Sequence, residues 1–174
     1  MRVGIGCIVV AVAMIDAASA RADSARGQVS AAIGLGQYEG TYEPDFGALM
    51  LTAEGGALLS RRGGIGLRVA YFHGGETNEG GLVPEYEATR VPLLLVGRLQ
   101  GRYAFAELGA GTTLSWIVDG DGETVRGASR STLAMTVGLT TADPTIRYHP
   151  EVFAGAMQIG DGRLLWIAAG LSWW

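Results

Sequence analysis

In eight separate segments of this 174-residue chain, apolar residues occupy every second position. A period of two is typical of β-strands, because successive side chains of a strand point to opposite faces of the sheet. In the clearest segment, Leu114, Trp116 and Val118 alternate with Thr113 and Ser115. The sequence therefore predicts an all-β fold. The eight predicted strands fall within residues 29–36, 47–54, 65–72, 90–99, 106–118, 132–140, 146–156 and 165–174.

The composition excludes several other classes of protein. Each of the 28 glycines would cost a helix interior about 1 kcal/mol relative to alanine, which argues against a helical bundle. A hydrophobic content of 48% with 17% charged residues argues against a disordered chain. All 13 basic residues are arginine and the formal net charge is -4, so no basic surface for nucleic acid is expected.

The first 22 residues have the pattern of a cleaved secretory signal peptide. Arg2 precedes an apolar run over residues 3–15, and small residues follow with candidate cleavage sites after Ala20 and after Ala22. Thirteen residues of helix extend only about 20 Å, which is too short to cross a hydrocarbon core of about 30 Å. The expected domains are a signal peptide over 1–22 and one barrel domain over 23–174. The only cysteine, Cys7, lies in the signal segment, so no disulfide is expected after cleavage.

The connections between the predicted strands alternate in length and charge. Long acidic connections are expected at 39–45, 74–81 and 119–129, and tight turns at 61–64, 100–102 and 141–144. Only the last connection, 160–163, is short where a long one is expected.

The more polar face of the strands consists mainly of small residues with a few charges. A water-exposed surface usually carries about 25–35% charged residues, whereas the narrow interior of an eight-stranded barrel favours small residues and paired charges. An isolated buried charge costs several kcal/mol, so charges in such an interior must pair with one another. The predicted interior charge network consists of Glu54, Arg68, Arg90, Arg98, Glu107, Arg147 and Glu151.

These features together resemble the small outer-membrane barrels of Gram-negative bacteria, the OmpA-like and OmpX-like family. The resemblance covers the whole chain after the signal peptide, including a last strand that ends in the aromatic pair Trp173 and Trp174. It implies an eight-stranded antiparallel up-and-down transmembrane β-barrel in the outer membrane, with its tight turns in the periplasm. Residues that it implies to lie at the membrane interfaces are Tyr38, Tyr42, Tyr71, Tyr86, Trp116 and Tyr148.

The resemblance also implies partners. Trp173 and Trp174 would form the C-terminal signal that the outer-membrane assembly machinery recognises, although the alternation leaves open whether Trp174 faces lipid or lumen. The barrel would be a monomer that contacts outer-membrane lipid and lipopolysaccharide. With its interior plugged by the charge network, it would act structurally or through its extracellular loops, in envelope integrity or surface interaction.

Two alternatives remain open from the sequence. In a soluble periplasmic barrel of lipocalin type, Glu54, Arg68 and Glu107 would face water, and three tryptophans would touch a lipid-like ligand in the cavity. Those tryptophans are Trp116, Trp166 and Trp173.

In a barrel enzyme that acts on lipopolysaccharide, His149 would pair with Ser115 or Ser131 as a hydrolytic site. No nucleophile motif supports such a pair. The acidic run over 119–123 lacks the final glutamate of a calcium loop. We therefore predict no catalytic residue, no cofactor and no metal site.

Overall fold

The protein is a closed barrel of eight antiparallel strands in which every strand pairs with its sequence neighbours and β8 pairs with β1. The computed structural model describes residues 26–40, 46–59, 63–77, 84–119, 124–141 and 147–173. The strands are β1 (Arg26–Glu39), β2 (Phe46–Leu58), β3 (Gly63–Thr77), β4 (Pro84–Gln100), β5 (Ala104–Asp119), β6 (Thr124–Thr140), β7 (Tyr148–Ile159) and β8 (Gly162–Trp173). This confirms the predicted all-β, up-and-down eight-stranded barrel.

The predicted signal peptide over 1–22 and the direction of Trp174 fall outside the described residues. Within the described ranges, no helix is long and apolar enough to span a membrane.

The register of the sheet sets the tilt of the strands. Following hydrogen-bonded partners from Val29 through all eight strands returns to β1 at Glu39, a shift of 39 − 29 = 10 residues. With about 3.3 Å per residue and 4.8 Å between strands, this shift tilts the strands by about 40°. A strand of 12 residues, the length of β7 and β8, then rises about 30 Å and can cross the apolar band of a membrane barrel, which is about 25 Å tall.

The apolar faces of the strands point away from the barrel axis. Leu133, Met135 and Leu139 of β6 are 65%, 55% and 66% exposed, while the neighbouring Thr132 and Thr136 are buried. In the soluble alternative, the charged face would lie in water. Glu54, Arg68 and Glu107 are instead 6%, 7% and 2% exposed, so that alternative is wrong.

The two ends of the barrel differ, and they are named here for the rest of the description. The turn end carries the start of β1, the end of β8 and the β2–β3, β4–β5 and β6–β7 connections. The loop end carries the β1–β2, β3–β4, β5–β6 and β7–β8 connections. β3, β4, β5 and β6 contain 15, 17, 16 and 17 residues, whereas β7 and β8 contain 12 each. One wall of the barrel therefore extends further at the loop end than the β7–β8 hairpin does.

The predicted loop boundaries are wrong along this wall. The connection expected over 119–129 shortens to 120–123, because β6 starts at Thr124 and pairs with β5 through Arg126, Gly127 and Ser129. Likewise, residues 74–77 belong to β3 instead of a loop. The sequence has no apolar alternation over 74–77 and 126–129, so the period-two pattern disappears there although the backbone ladder continues.

The β7–β8 connection is a two-residue turn at Gly160 and Asp161. Gly160 has a φ of 59°, a left-handed conformation that glycine adopts without steric cost and that suits the first central position of a tight hairpin. The short connection noted in the sequence is therefore a tight hairpin turn. At the position of this turn, the barrel extends least far at its loop end.

Gly138 provides a test of packing in the barrel interior. A Cβ at this position would lie 2.5 Å from Cζ of Phe105 and 2.7 Å from Cβ of Phe153, whereas a Cβ at Gly97 would have no atom nearer than 4.0 Å. We expect Gly138→Ala to lower the free energy of unfolding by about 1–3 kcal/mol, because the two rings cannot both move aside. We expect the matched control Gly97→Ala to change it by less than about 0.5 kcal/mol.

Urea unfolding in lipid vesicles, followed by tryptophan fluorescence, measures both values. Equal midpoints for the two variants would contradict the described packing.

Candidate functional site

Five charged side chains form one continuous chain of ion pairs across the barrel interior. Arg68 Nη2 lies 2.5 Å from Glu54 Oε2 and also bonds Glu107. Arg98 then binds Glu107 Oε1 at 3.2 Å through Nη1 and Glu151 Oε1 at 2.5 Å through Nη2. Two arginines thus bridge three glutamates, and each of the five residues is less than a tenth exposed.

The strand register positions this network. Glu54 of β2 lies directly opposite Arg68 of β3, and Arg98 of β4 lies opposite Glu107 of β5. Both pairs point inward, where side chains on opposite walls can meet across a narrow lumen. Arg68 therefore reaches Glu107 from two strands away, and Arg98 reaches Glu151 on β7.

Uncharged polar groups complete the hydrogen bonding of the network. Arg68 donates to the hydroxyl of Thr136 at 3.2 Å, and Arg98 donates to the amide oxygen of Gln100 at 3.1 Å. Ser172 donates to Glu151 at 2.8 Å. Because these uncharged groups add hydrogen bonds to the ion pairs, the cost of burying the charges is partly offset.

Aromatic side chains lie in the same half of the interior. The guanidinium carbon of Arg98 lies 3.8 Å from the ring centroid of Phe105, and Phe105 packs edge-on against Phe153 at 6.1 Å. The half of the lumen nearest the turn end therefore contains both the ion pairs and a pair of aromatic rings in edge-on contact.

The half nearer the loop end contains mainly apolar side chains instead. Sequence reasoning treated the inward face as a polar surface and missed this layer, although large apolar residues do occur on that face of the alternation. They form a buried cluster that includes Met50, Phe72, Leu94, Met157, Leu164 and Trp166. Phe72 contacts Trp166 edge-on at a centroid distance of 6.3 Å.

The outer surface carries aromatic and polar groups at the two borders of its apolar band. At the turn end, Tyr148 and Trp173 pack edge-on at 6.5 Å. Toward the loop end, Tyr71 stacks on His73 at 6.1 Å, and an exposed ion pair joins Arg163 to Glu39 at 2.8 Å. Aromatic residues at the borders of an apolar band are typical of membrane barrels, whose girdles lie at both interfaces.

Solved structures share this architecture. Neisserial surface protein A matches with a TM-score of 0.59 at 12% identity, covering 87% of this chain and 99% of that one. Ail, the attachment invasion locus protein of Yersinia pestis, matches with a TM-score of 0.51 at 14% identity, covering 84% and 97% of the two chains. The outer membrane protein OprG of Pseudomonas aeruginosa matches with a TM-score of 0.52 at 11% identity, covering 84% and 94%. No family model and no curated protein matches the chain.

The protein is a transmembrane β-barrel of the outer-membrane type. Three observations agree on this: the barrel is closed, its apolar residues face outward, and its fold is that of small eight-stranded outer-membrane proteins. A closed barrel also pairs the backbone groups that a lipid environment leaves without water.

Two residues of the predicted interior network lie apart from the five-residue chain of ion pairs. Arg90 is buried, but it lies in the loop-end half with its guanidinium 3.6 Å from the ring centroid of Tyr38. Arg147 is exposed, so its placement in the interior is wrong. It precedes the start of β7 at Tyr148, and the alternation that would turn it inward applies only within the paired strand.

The predicted interface role of Tyr38 is also wrong. Its side chain is only 1% exposed, because it shares the inward face of β1 with Gly34 and Gly36. Those glycines leave room for large residues in the lumen. Tyr148 is exposed at the turn-end border of the barrel, Tyr71 lies partly exposed toward the loop end, and the side chains of Tyr42 and Tyr86 lie outside the described residues.

The hypothesis of a hydrolytic pair does not fit the barrel. His149 is buried near the turn end and bonds the backbone carbonyl of Thr141. Ser131 accepts a hydrogen bond from Gly160 at the loop end, 11 residues along β7 from His149, which is about 35 Å at the rise of a strand. Ser115 lies on β5 opposite Arg90, also toward the loop end.

No cluster of three or more metal-ligating side chains occurs in the ranges that the structure describes.

Substituting single members of the network tests how much the interior ion pairs contribute to the stability of the barrel. We expect Arg68→Met to lower the free energy of unfolding by about 3–5 kcal/mol, because Glu54 and Glu107 remain buried without their shared partner. Glu54→Gln should cost only about 1 kcal/mol, since an amide oxygen still accepts from Arg68 and the network becomes neutral.

Arg163→Met is the matched control, because it removes the same side chain from the exposed pair with Glu39 and should cost less than about 1 kcal/mol. Urea unfolding in vesicles compares the three variants. Equal losses for Arg68→Met and Arg163→Met would show that the interior pairs contribute no more than a surface pair.

Proposed function

We propose that this protein is an outer-membrane barrel that does not conduct solutes and that acts at the cell surface through the extended wall at its loop end. The observation that carries the surface role is the unequal length of the strands: β3 to β6 contain 15 to 17 residues and β7 and β8 only 12. The extra residues are not needed to cross the apolar band, so they project a rigid sheet beyond it.

The filled interior supports the absence of a solute pore. Near the turn end the lumen contains the five-residue charge network, and toward the loop end it contains the apolar cluster. Side chains as large as Arg90, Phe72 and Leu164 are at most 1% exposed. In a barrel of eight strands, the interior is just wide enough for side chains of this kind.

The similar structures agree with a surface role. Two of them are described as a surface protein and as an attachment invasion locus protein, and the latter has also been crystallised with the heparin analogue sucrose octasulfate. From these proteins we transfer only one property to this chain: the use of the loop end of the barrel as a contact surface. Contacts with lipopolysaccharide around the band, recognition of Trp173 and Trp174 by the assembly machinery, and a monomeric state belong to the same proposal.

Planar bilayers test the closed interior. We expect the inserted protein to give no stable conductance of several nanosiemens, because large buried side chains occupy the lumen at every level. Insertion is verified independently by the altered mobility of the unheated barrel on a gel. A stable open state of that size would contradict the proposal.

Labelling in intact cells tests the orientation. The only native cysteine, Cys7, lies in the predicted signal segment, so single cysteines can be introduced at exposed sites of the two ends. We expect Glu87→Cys, near the loop end, to react with a membrane-impermeant maleimide in intact cells. We expect Tyr103→Cys, which is at the turn end and 60% exposed as tyrosine, to react only after the outer membrane is permeabilised. The opposite pattern would place the extended wall in the periplasm.

A further inference from the structure

The two ends of the barrel differ in charge. The three connections between strands at the turn end contain four arginines and one aspartate in the sequence. The four connections at the loop end contain six carboxylates and no arginine. An anionic surface therefore attracts the turn end of the barrel and repels its loop end.

Exposed arginines at the two ends also differ in their pairing. At the loop end, Arg163 forms an ion pair with Glu39 at 2.8 Å. At the turn end, Arg102 and Arg147 are exposed and form no ion pair within the described ranges. The guanidinium carbon of Arg102 lies 5.0 Å from the ring centroid of Tyr103, which is on the surface as well. The charge of Arg102 is therefore accessible to an anion from outside the chain.

The connections that carry these two arginines lie side by side. β5 pairs with β6 as far as Ala104 and Leu139, at the turn end. Just beyond this pair, the backbone N–H of Thr140 donates to the carbonyl oxygen of Tyr103 at 3.0 Å. The β4–β5 and β6–β7 connections therefore form one basic border on this side of the barrel.

A path of small outward residues leads from Arg102 into the apolar band. Ala104 and Ala106 of β5 and Gly97 of β4 are all exposed. Larger side chains protrude beside them on β4 and β6, and Ala106 lies directly between two of these in the register. The protruding side chains are Leu99, Val137 and Leu139. The outer surface therefore has a trough along Ala104, Ala106 and Gly97, named here the β5 trough.

The β5 trough continues into a groove on the outer wall. The groove has a volume of about 630 Å³, and its lining includes Gly97, Leu108 and Ala110. From Ala104 to Ala110 the strand extends about 20 Å, which at a tilt of about 40° corresponds to a depth of about 15 Å. One leaflet of a hydrocarbon core of about 30 Å has this thickness. The trough and the groove therefore match the acyl chain of a lipid whose headgroup lies at the turn end.

The charges decide from which end such a lipid enters. The groove also reaches Gln158 and Arg163 toward the loop end. Arg163 already has Glu39 as its partner, and the neighbouring connections are acidic. Arg102 has no carboxylate partner in the described part of the chain and lies on a basic border. An anionic headgroup is therefore favoured at the turn end.

We propose that Arg102 and the β5 trough bind an anionic glycerophospholipid of the phosphatidylglycerol type from the inner leaflet of the outer membrane. The phosphate pairs with Arg102, and Arg147 adds to the attraction. One acyl chain lies over Ala104, Ala106 and Gly97 and ends in the groove. The inference rests on the proposed function for the orientation of the barrel, because phospholipids occupy the inner leaflet and the turn end must face it.

Native mass spectrometry of the purified barrel in a non-ionic detergent tests this site. The probes are dipalmitoyl phosphatidylglycerol, dipalmitoyl phosphatidylcholine, which has the same chains, and glycerol 3-phosphate, which has none. We expect one phosphatidylglycerol to be retained per barrel, about tenfold weaker retention of phosphatidylcholine, and no retention of glycerol 3-phosphate. Added salt should weaken the retention of phosphatidylglycerol, because both arginines are exposed.

Two variants separate the headgroup contact from the chain contact. Arg102→Gln should weaken the binding of phosphatidylglycerol about fivefold, whereas the matched control Arg163→Gln at the loop end should leave it unchanged. Ala106→Leu fills the β5 trough and should weaken the binding of both lipids about tenfold, as the loss of contact with a few methylene groups predicts. Its control is Ala169→Leu, at an exposed position of β8, which should bind as the wild type does. The altered mobility of the unheated barrel on a gel verifies that each variant folds.

Photo-cross-linking locates the chain without a variant. The barrel is reconstituted in phosphatidylcholine with a phosphatidylglycerol that carries a diazirine in one acyl chain, and irradiated peptides are identified by mass spectrometry. We expect the label within residues 97–110. Equal retention of the two lipids, unchanged binding by Arg102→Gln or Ala106→Leu, or retention of glycerol 3-phosphate would overturn the proposal. A label confined to the surroundings of Gln158 and Arg163 would overturn it in favour of a lipid that enters from the loop end.

The outcome is separable from that of the proposed function. Lipid retention in detergent does not depend on orientation or on conductance, whereas cysteine labelling and bilayer recordings do not depend on the bound lipid. Lipid binding with inverted cysteine labelling would therefore reject the surface role and the choice of leaflet, but not the site. Correct labelling without lipid binding would reject only the lipid site.

Discussion

The burial of paired charges inside a closed barrel is the constraint on which the rest of this structure depends. Arg68 and Arg98 each bridge two glutamates, and all five side chains are less than a tenth exposed. A buried charge without a partner costs several kcal/mol, so these side chains can face inward only if the strand register brings them together. The same register closes the barrel with a shift of ten residues and turns the apolar faces toward lipid.

The interior has two layers with different physical roles. Near the turn end, ion pairs and hydrogen bonds fix the relative positions of five inward residues on β2, β3, β4, β5 and β7. Toward the loop end, buried apolar side chains pack against one another inside the barrel, with Phe72 against Trp166. The large buried side chains of both layers support the proposal that the function lies at the surface that the long strands project and not in the lumen.

The unequal strand lengths connect the fold to that surface. A short β7–β8 hairpin, ended by the left-handed Gly160, lies beside a β6 strand that continues past it. The step between them leaves the edge of β6 without a neighbour in the described part of the chain. Barrels avoid open edges within the membrane, and here the edge occurs only above the apolar band, where water can solvate it.

The sequence by itself determined the fold class, the eight strands and which face of each strand is apolar, because a period of two is a local property of the chain. It also indicated Glu54, Arg68, Arg98, Glu107 and Glu151 as inward residues, although which of them pair depends on register, a long-range property. Only the tertiary structure excluded Arg147, placed Tyr38 in the lumen and extended β6 to Thr124. At these positions the alternation ends or gives no polarity contrast, and the neighbouring strands decide the outcome.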